Sequence, residues 1–351
     1  CACVTSMGTS TRGESGALVT VRIGVLGVGR IGRMHADIIA NETDGAEVAA
    51  VFDVNDAAAA QVADALRVPV MSIDEILESD SVDAVAICSS TDTHVELITR
   101  AAAAGKAIFC EKPISLDISE VDKALSAVRE HGVAFMVGFN RRFDPTHAAV
   151  QEAVASGRVG DPHIARISSR DPAPPPVEYI KVSGGIFVDM MIHDFDMARF
   201  VVGSPVTEVY ATGAVRIDPA IGEAGDLDTA VVTLTHANGC ITTIDNSRQA
   251  VYGYDQRLEV LGSTGMAVSE NPMKNAAVVY SASERQGSVL PYFFLDRYTD
   301  SYRGEWQAFV RYAREGGPSP VSGEDGRAPV AIGIAAWESY RSGKPVTLSD
   351  G

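Results

Sequence analysis

The stretch "VRIGVLGVGRIGRMHADII", residues 21–39, decides the fold of this chain. An apolar, strand-like segment leads into Gly27, Gly29 and Gly32, and a helical pattern of apolar residues follows. In such a strand–turn–helix unit the first glycine permits a tight turn, the second lets a pyrophosphate approach the backbone, and the third lets the helix pack on the strand. The stretch therefore predicts a dinucleotide-binding unit, although glycines can also end strands for purely structural reasons.

A carboxylate follows at the distance that this unit requires. Asp53 ends the next apolar run, "EVAAVFD", 21 residues beyond Gly32, where it can accept hydrogen bonds from the adenine ribose. Arg30 and Ile31 open the helix after the glycines and are expected to contact the cofactor at the helix N-terminus. Because Asp53 also repels a 2′-phosphate and no arginine follows it closely, the sequence predicts NAD as the cofactor. Arg33 keeps use of NADP open as an alternative.

The pattern along the chain predicts two domains of different architecture. From residue 21, apolar runs of strand length alternate with amphipathic stretches of helical length, which is typical of a parallel sheet covered by helices. Later runs are rich in Val, Thr and Ile and contain the hairpin signal Asn238-Gly239. We therefore predict an α/β protein: an N-terminal Rossmann domain with a doubly wound parallel sheet, and a C-terminal α+β domain with an open-faced, mostly antiparallel sheet.

The expected boundaries follow from the same pattern. Helices of the first domain are expected near 31–40, 56–66, 73–79, 92–104 and 117–131, and two more near 300–315 and 325–342. The predicted division is a disordered leader over 1–20, the Rossmann domain over 21–138, a substrate-binding and oligomerisation domain over 139–324, and a C-terminal helix over 325–351 that packs back on the Rossmann domain.

Composition narrows the class of partner. With 351 residues, of which 46% are hydrophobic and 21% charged, the chain has the composition of a soluble globular protein with room for two domains. A formal net charge of −17 disfavours nonspecific attraction to nucleic acid or anionic lipid, and no apolar stretch approaches the roughly 20 residues that span a bilayer. We expect a cytoplasmic protein with a small-molecule partner. The five cysteines form no metal-spaced cluster, so we expect no metal site and reduced, inert thiols.

Polar residues follow two further strands of the first domain. "CSSTDTHVELI" places Ser89, Thr91 and His94 at the edge where ligands bind in open α/β folds. The threonines of this motif can instead cap the next helix, which is their expected main role. "FCEKPIS" places Glu111 and Lys112 after the next strand, beside the expected nicotinamide position. All five are candidate cofactor contacts, and a solvated surface pair is the alternative for the last two.

The segment "GGIFVDMMIHDFD", residues 184–196, holds an acid and an imidazole in an apolar run. On a helix over 185–201, Asp189 and His193 would share one face, and the buried acid would need His193, a substrate hydroxyl or Lys112 as its partner. Oxidation of an alcohol needs a base for the hydroxyl proton, for which a neutral histidine suits, and Lys112 can stabilise the charge developing on the oxygen. We expect activity to rise with pH through the histidine range. A core histidine paired with its neighbouring acid is the structural alternative.

Taken together, the motifs "GVGRIG", "CEKP", "GFNRRFDP" and "GGIFVDMMIHDFDMARF" resemble the Gfo/Idh/MocA family of glucose–fructose oxidoreductases and inositol dehydrogenases, and within it the inositol 2-dehydrogenase branch. The resemblance covers the chain from residue 21 to near its C-terminus. It implies that Lys112 is the catalytic lysine, Asp189 its partnering acid and His193 the base.

The resemblance also implies a pocket, an assembly and a reaction. Asn140, Arg141 and Tyr252 would line the polyol pocket, although Arg141 or Arg142 could instead pair with Asp144. The implied fold is a Rossmann domain followed by an open-faced α/β domain, through which members form homotetramers. The implied reaction is the NAD-dependent oxidation of myo-inositol to scyllo-inosose (2-keto-myo-inositol) in inositol catabolism.

Two other functions stay open at this point. The same residues could oxidise another cyclic polyol or sugar, such as scyllo-inositol, chiro-inositol or glucose, because pocket shape selects the ring. Outside enzymes, a protein could sense NAD without turnover. Such a protein would be expected to lose Lys112, Asp189 or His193, and all three are present.

Overall fold

The computed structural model describes residues 20–348, which form two main sheets. Apart from Thr20, the expected leader over 1–20 lies outside the described residues, and so do Cys1 and Cys3. No helix within the described range is long and apolar enough to cross a membrane. The same range holds no group of three or more His, Cys, Asp and Glu residues that could bind a metal ion.

The first sheet is the predicted doubly wound parallel sheet. Its elements, in chain order, are β1 (Val21–Leu26), α1 (Arg30–Glu42), β2 (Ala46–Phe52), α2 (Asp56–Leu66), α3 (Ile73–Glu78), β3 (Ala84–Ile87), α4 (Thr91–Ala103), β4 (Ala107–Glu111), α5 (Ile118–His131) and β5 (Phe135–Gly138). The five strands pair in parallel in the order β2-β1-β3-β4-β5. The strand order therefore reverses beside β1, where a doubly wound sheet binds its ligand. All five helices expected from the sequence are present.

The carboxyl ends of these strands gather the candidate residues at one edge of the sheet. Gly27 follows β1, Asp53 follows β2, Ser89 comes two residues after β3, Lys112 follows β4 and Asn140 comes two residues after β5. Because parallel strands all end on the same side, these residues face one cleft.

The second sheet is the predicted mixed, mostly antiparallel sheet. Its domain contains, in chain order, a 3-10 turn (Asn140–Phe143), α6 (Pro145–Ala155), β6 (Pro162–Arg170), α7 (Val177–Ile180), a π-helical turn (Ile186–Met190), α8 (Ile192–Val202), β7 (Val206–Ala214), α9 (Pro219–Glu223), β8 (Thr229–His236), β9 (Ile241–Ser247), β10 (Asp255–Gly262), β11 (Met266–Ser269), β12 (Val278–Tyr280), β13 (Arg285–Gly287), α10 (Phe294–Glu315), α11 (Gly323–Ser342) and β14 (Val346–Thr347).

Seven of these strands pair in the order β11-β10-β6-β9-β8-β7-β14. The β6–β9 pair is parallel, and the other neighbours run antiparallel. Helices α6, α8 and α11 pack on one face. Alternate residues point to the opposite face, where exposed apolar side chains such as Ile164 and Ile241 lie. The predicted open-faced sheet is thus confirmed.

Helices α10 and α11 join the two sheets. Trp306 and Phe309 of α10 are fully buried in the core of the first sheet, and the Trp306 ring lies 4.5 Å from the ring of Phe109 in β4. On α11, Val330 belongs to the core of the first sheet and Ala336 to that of the second. The C-terminal helix therefore packs on both domains rather than on the Rossmann domain alone. Helix α10 lies in the range expected for the second domain, but its aromatic face covers the Rossmann sheet as well.

The helix expected over 185–201 is divided in the structure. The segment Ile186–Met190 winds as a π-helical turn, and α8 starts after it. Gly185 opens this turn with a φ of +76°, a backbone conformation that favours glycine. Asp189 therefore lies in the turn and His193 in α8, so the spacing of a continuous helix no longer relates the two side chains.

Candidate active site

The glycine loop after β1 forms a cradle at the N-terminus of α1. A Cβ added to Gly27, whose φ is +91°, would lie 2.6 Å from the amide nitrogen of Ser89, and one added to Gly32 would lie 1.9 Å from the carbonyl oxygen of Gly27. A Cβ added to Gly29 would meet no described atom within 4 Å beyond its own neighbours in the chain. The first and third glycines are thus required by packing, whereas the second leaves its backbone open. This arrangement fits the pyrophosphate of a dinucleotide.

Asp53 is held beside this loop. Its Oδ2 accepts a hydrogen bond from the amide of Val28 (2.7 Å), and its Oδ1 accepts one from the amide of Asn55 (2.8 Å). Each carboxylate oxygen has a further lone pair, so both can still accept from a hydroxyl group. The oriented carboxylate fits the adenine ribose of NAD.

The turn after β3 differs from the expected capping arrangement. Ser90 is the N-cap of α4 and makes no side-chain capping bond. The hydroxyl of Thr93 donates to the carbonyl oxygen of Ser90 (2.8 Å) and lies 2.7 Å from the hydroxyl oxygen of Ser89. Helix capping by the threonines is therefore wrong. Ser89 and Thr91 remain at the cofactor edge, and their contact with the cofactor stays a prediction.

His94 has a structural role in place of the expected cofactor contact. Its side chain is completely buried, with Nδ1 2.8 Å from the carbonyl oxygen of Pro113 and Nε2 3.2 Å from that of Ser89. Burial lowers the pKa of His94 below its ordinary value, so the ring is neutral near pH 7 and donates to one of these carbonyls. The ring therefore ties the end of β3 to the turn that carries Lys112.

Glu111 and Lys112 do not form a solvated surface pair. The Oε1 atom of Glu111 lies 2.8 Å from Nε2 of the fully buried His35, and its Oε2 accepts from the amide of Lys112 (3.2 Å). The Nζ atom of Lys112 crosses to the second domain, where it donates to the main-chain oxygen of Asp189 (3.4 Å). The lysine thus reaches the cleft between the sheets, and the glutamate supports its turn from behind.

Asp189 has partners that the sequence did not indicate. Its Oδ1 accepts a hydrogen bond from the hydroxyl of Tyr179 (2.8 Å), and its Oδ2 lies 3.3 Å from Nη1 of Arg248. Arg248 is 1% exposed and also bonds Oδ2 of Asp226 through Nη2 (3.2 Å). None of the described contacts joins the carboxylate to His193. Of the two expected protein partners, His193 and Lys112, only Lys112 contacts Asp189 in the described part of the chain, and it does so at the main chain.

His193 lies close to two positive charges. Its ring packs edge-on against Phe139, with ring centroids 6.0 Å apart. Burial, followed by the charges of Lys112 and Arg141, lowers the pKa of His193 well below its ordinary value. Its Nδ1 atom is enclosed and has no hydrogen-bond partner among residues 20–348. The imidazole is therefore neutral at physiological pH, which is the state that a base requires.

Asn140 and Arg141 lie in the same region as His193, and hydrogen bonds to neighbouring side chains hold each of them in place. Asn140 donates through Nδ2 to the hydroxyl of Ser301 in α10 (2.9 Å). The buried Arg141 donates through Nη1 to Oδ1 of Asp194 (2.7 Å), whose Oδ2 accepts from Nδ2 of Asn246 (2.8 Å). Asp194 thus serves as the counter-ion of Arg141 and fixes the position of its guanidinium.

The second arginine of the motif turns away from the cleft. Arg142 bonds Asp196 through Nε (2.9 Å) and Nη2 (2.6 Å). The expected partner of these arginines, Asp144, is bound by Arg297 of α10 instead (2.5 Å). The last two acids of the run 184–196 therefore neutralise buried arginines and take no direct part in the cleft.

Tyr252 is half exposed, and its hydroxyl is bound by two side chains that are not among the candidates. Its side chain is 51% exposed, and its hydroxyl donates to Oδ2 of Asp255 (2.7 Å) and accepts from Nη1 of Arg170 (3.0 Å). Tyr254 is buried instead, with its hydroxyl oxygen 3.5 Å from Nη2 of Arg141. Tyr254 is therefore the one of these two tyrosines that contacts Arg141, and the role of Tyr252 in the polyol pocket stays a prediction.

Sequence reasoning missed two residues that contact Asp189. Tyr179 lies in an aperiodic, proline-rich segment, where no pattern predicts which side the ring faces. Arg248 ends the apolar strand run "CITTIDNSR", and a buried arginine there requires carboxylate partners. That requirement was the available signal, although it does not identify the partner.

Comparison with known proteins agrees with this geometry. Residues 21–139 match the model of an oxidoreductase family with an NAD-binding Rossmann fold, and residues 147–268 match the GFO/IDH/MocA C-terminal domain. The myo-inositol 2-dehydrogenase of Thermotoga maritima is 47% identical over 94% of this chain and 99% of its own length. NAD is accordingly the cofactor of this fold.

Solved structures agree as well. A putative myo-inositol dehydrogenase from Sinorhizobium meliloti superimposes with a TM-score of 0.91 at 47% identity, over 94% of this chain and all of its own. The scyllo-inositol dehydrogenase of Lactobacillus casei, solved with NAD(H) and scyllo-inositol, gives a TM-score of 0.87 at 30% identity over 93% of this chain and 99% of its own. The chain belongs to the GFO/IDH/MocA family of oxidoreductases.

Proposed function

We propose that this chain oxidises myo-inositol to scyllo-inosose, with reduction of NAD, as a step of inositol catabolism. The observation that carries the proposal is that the neutral His193 lies close to the charges of Lys112 and Arg141, both of which follow strands of the first sheet at the edge where the glycine loop lies. A base next to a fixed cation is the pair of groups that oxidation of a secondary alcohol needs. Relatives named as myo-inositol 2-dehydrogenases support the choice of substrate.

The residues divide the work as follows. His193 accepts the hydroxyl proton through Nε2, since Nδ1 is enclosed. The ammonium of Lys112 donates a hydrogen bond to the same oxygen and stabilises the negative charge that develops there. Bound NAD would supply the acceptor for the hydride that leaves the carbinol carbon. Asp189, held by Arg248 and Tyr179, offers fixed oxygen atoms to neighbouring hydroxyls of the ring.

The cofactor sites belong to the first domain. The backbone of Gly29, Arg30 and Ile31 at the start of α1 is assigned to the pyrophosphate and Asp53 to the adenine ribose. The floor of the cleft, with Asn140 and Arg141, is assigned to the polyol. A ring of neutral hydroxyls fits donors and acceptors that are fixed by partners on their far side.

Product analysis tests the proposed function. The purified chain is incubated with myo-inositol and NAD, and NADH and the ketone are quantified by absorbance and by nuclear magnetic resonance. We expect NADH and scyllo-inosose in equal amounts. NADH without a ketone at the 2-position of the ring would overturn the assigned reaction.

One alternative substrate is favoured by a specific observation. The scyllo-inositol dehydrogenase of Lactobacillus casei has the same fold, so the fold does not distinguish the two isomers. Equal or faster turnover of scyllo-inositol would move the substrate assignment to that isomer and leave the roles of Lys112 and His193 unchanged.

We also propose that the chain works in the cytoplasm, where NAD is available.

We further propose that the chain forms a homotetramer through the open face of the second sheet. Ile164 pairs with Ile241 and Leu261, and Leu261 pairs with Met266, so these four side chains form one cross-strand row. They are 38%, 44%, 40% and 54% exposed, and a continuous apolar row on a sheet favours contact with another subunit. Light scattering after size exclusion tests it: Ile241→Asp should yield smaller particles, and a monomeric wild type would contradict it.

A further inference from the structure

Tyr179 combines an inward hydroxyl with an exposed ring. It lies in α7, in the segment between β6 and the π-helical turn, and its side chain is 48% exposed. Its hydroxyl is nevertheless turned into the cleft, where it donates to Oδ1 of Asp189 at 2.8 Å. The residue thus stands at the mouth of the cleft and contacts a candidate catalytic acid directly.

The contact places Tyr179 close to the reacting end of the cleft. Asp189 is bonded at its Oδ1 by Tyr179 and at its main-chain oxygen by Nζ of Lys112 (3.4 Å). Because Tyr179 and Lys112 both bond Asp189, both are close enough to contact one bound polyol ring. Because a phenolic oxygen can accept while its proton is donated, Tyr179 still has a lone pair for a hydroxyl of the ligand.

Charges around the phenol keep its proton in place. Burial and the negative charge of Asp189 raise the pKa of Tyr179, and the positive charges of Arg248 and Arg30 act against that rise. The phenol is therefore protonated at neutral pH and is a donor to Asp189. The phenolic oxygen of Tyr179 can still accept a hydrogen bond from a ligand.

Arg30 of the Rossmann domain lies near Tyr179. It lies at the start of α1, its charge acts on Tyr179, and its guanidinium lies over the rings of Phe293 and Phe294, 5.6 and 5.8 Å from their centroids. Arg30 and Tyr179 therefore lie near each other, one from each domain.

We propose that Tyr179 is a polyol-binding residue whose hydroxyl donates to Asp189 and accepts a hydrogen bond from a ring hydroxyl of the substrate. This inference rests on the proposed function, since it assigns a further contact to the same substrate. It adds to the pocket a residue that comes from the segment between the sheet and the catalytic turn. The aromatic ring remains at the mouth, so removal of the hydroxyl alone isolates the hydrogen bond.

Steady-state kinetics of Tyr179→Phe test the inference, with Tyr280→Phe as the control because Tyr280 is 73% exposed in β12, away from the cleft. The loss of one hydrogen bond to a neutral partner should raise KM for the polyol roughly three- to tenfold. The affinity for NADH, measured without polyol by fluorescence, should stay within about twofold of wild type in both variants.

The outcomes separate the two proposals. The kinetics use whichever polyol the wild type oxidises. An unchanged KM in Tyr179→Phe overturns the inference, and so does a loss of NADH affinity as large as the rise in KM, since it would place Tyr179 on the cofactor. A wild type that oxidises no polyol but binds NADH overturns the proposed function and the inference with it.

Discussion

The ammonium of Lys112 bonds the main-chain oxygen of Asp189 at 3.4 Å, while the carboxylate of Asp189 is bound by Arg248 and Tyr179. The lysine is therefore held in the cleft by a carbonyl dipole and makes no direct ion pair with this acid. Its charge stays available for an oxygen atom that becomes negative during the reaction.

Removal of this charge should affect chemistry far more than cofactor binding. We expect Lys112→Ala to lower kcat by roughly two to three orders of magnitude, the usual effect of deleting a donor to a developing oxyanion. Its affinity for NADH should stay near that of wild type, as should all parameters of Lys181→Ala, whose partner is the exposed Glu178. Equal losses in kcat and in NADH affinity would contradict the assigned role.

The position of His193 changes the expected pH dependence. The sequence predicted a rise of activity through the ordinary histidine range, but burial and the charges of Lys112 and Arg141 hold the pKa of His193 well below it. The base is lost only when pH falls through this lowered pKa. The profile of kcat/KM should therefore be flat around pH 6.5 and fall only at more acid pH. An acid limb centred at or above about pH 6.5 would contradict this account.

Arg248 should be essential for folding as well as for the site. It is 1% exposed and bonds both Asp189 and Asp226, so Arg248→Met would leave one buried and one largely buried carboxylate without their cation. Breaking such an ion group costs about 3 to 5 kcal/mol. We expect a large drop in Tm for Arg248→Met and almost none for Arg129→Met, whose pair with Glu324 is exposed. Similar Tm values for the two variants would refute the role given to Arg248.

Asp53 should control the choice between the two nicotinamide cofactors. Its carboxylate lies beside the glycine loop, where it would repel a 2′-phosphate. Asp53→Asn keeps an acceptor for the amide of Val28 and removes the charge. The ratio of kcat/KM for NAD to that for NADP should fall about tenfold or more, while Asp56→Asn, on the exposed start of α2, should leave it unchanged. A ratio unaffected in Asp53→Asn would show that another residue selects the cofactor.

A buried acid on α10 should make stability depend on pH. Glu305 is fully buried, and its carboxyl oxygens have no hydrogen-bond partner in the described part of the chain. Burial and the charge of Glu111 raise the pKa of Glu305 well above its ordinary value of 4.5. The folded chain thus holds a proton that the unfolded chain releases. The contribution of Glu305 to the free energy of unfolding is therefore fully present below about pH 4.5. It decreases as pH rises, by at most about 1.4 kcal/mol per pH unit.

Glu305→Gln removes that proton linkage. From about pH 6 to about pH 8 its Tm should fall less than that of wild type, whereas Glu315→Gln, at the exposed end of α10, should follow wild type. Parallel curves for wild type and Glu305→Gln would mean that Glu305 is ionised in the folded chain.

Local spacing explains why the cofactor half of the site could be predicted. The glycines and Asp53 act through a strand–turn–helix unit, whose geometry is fixed within some thirty residues. The positions of Lys112 and Asn140 follow from the rule that parallel strands end at one edge. The sequence therefore predicted that Gly27, Asp53, Lys112 and Asn140 follow strands that end at one edge of the sheet, whereas the burial of His94 could not be read from the same rule.

The polyol half depends on packing between distant segments. The partners of Asp189 come from α7 and from the end of β9, 10 and 59 residues away in the chain, and no local pattern joins them. The π-helical turn also changes the direction of Asp189, which a regular helical period cannot reveal. Tyr252 and Tyr254 are two positions apart in the chain, and the conformation of the loop before β10 decides which of them is buried.

The proposed reaction is tested by the rate of NADH formation by the purified wild type with myo-inositol, scyllo-inositol, chiro-inositol and glucose, each with NAD and with NADP. We expect the highest kcat/KM for myo-inositol with NAD. No NADH formation with any of the four polyols, from a protein that binds NADH, would contradict it.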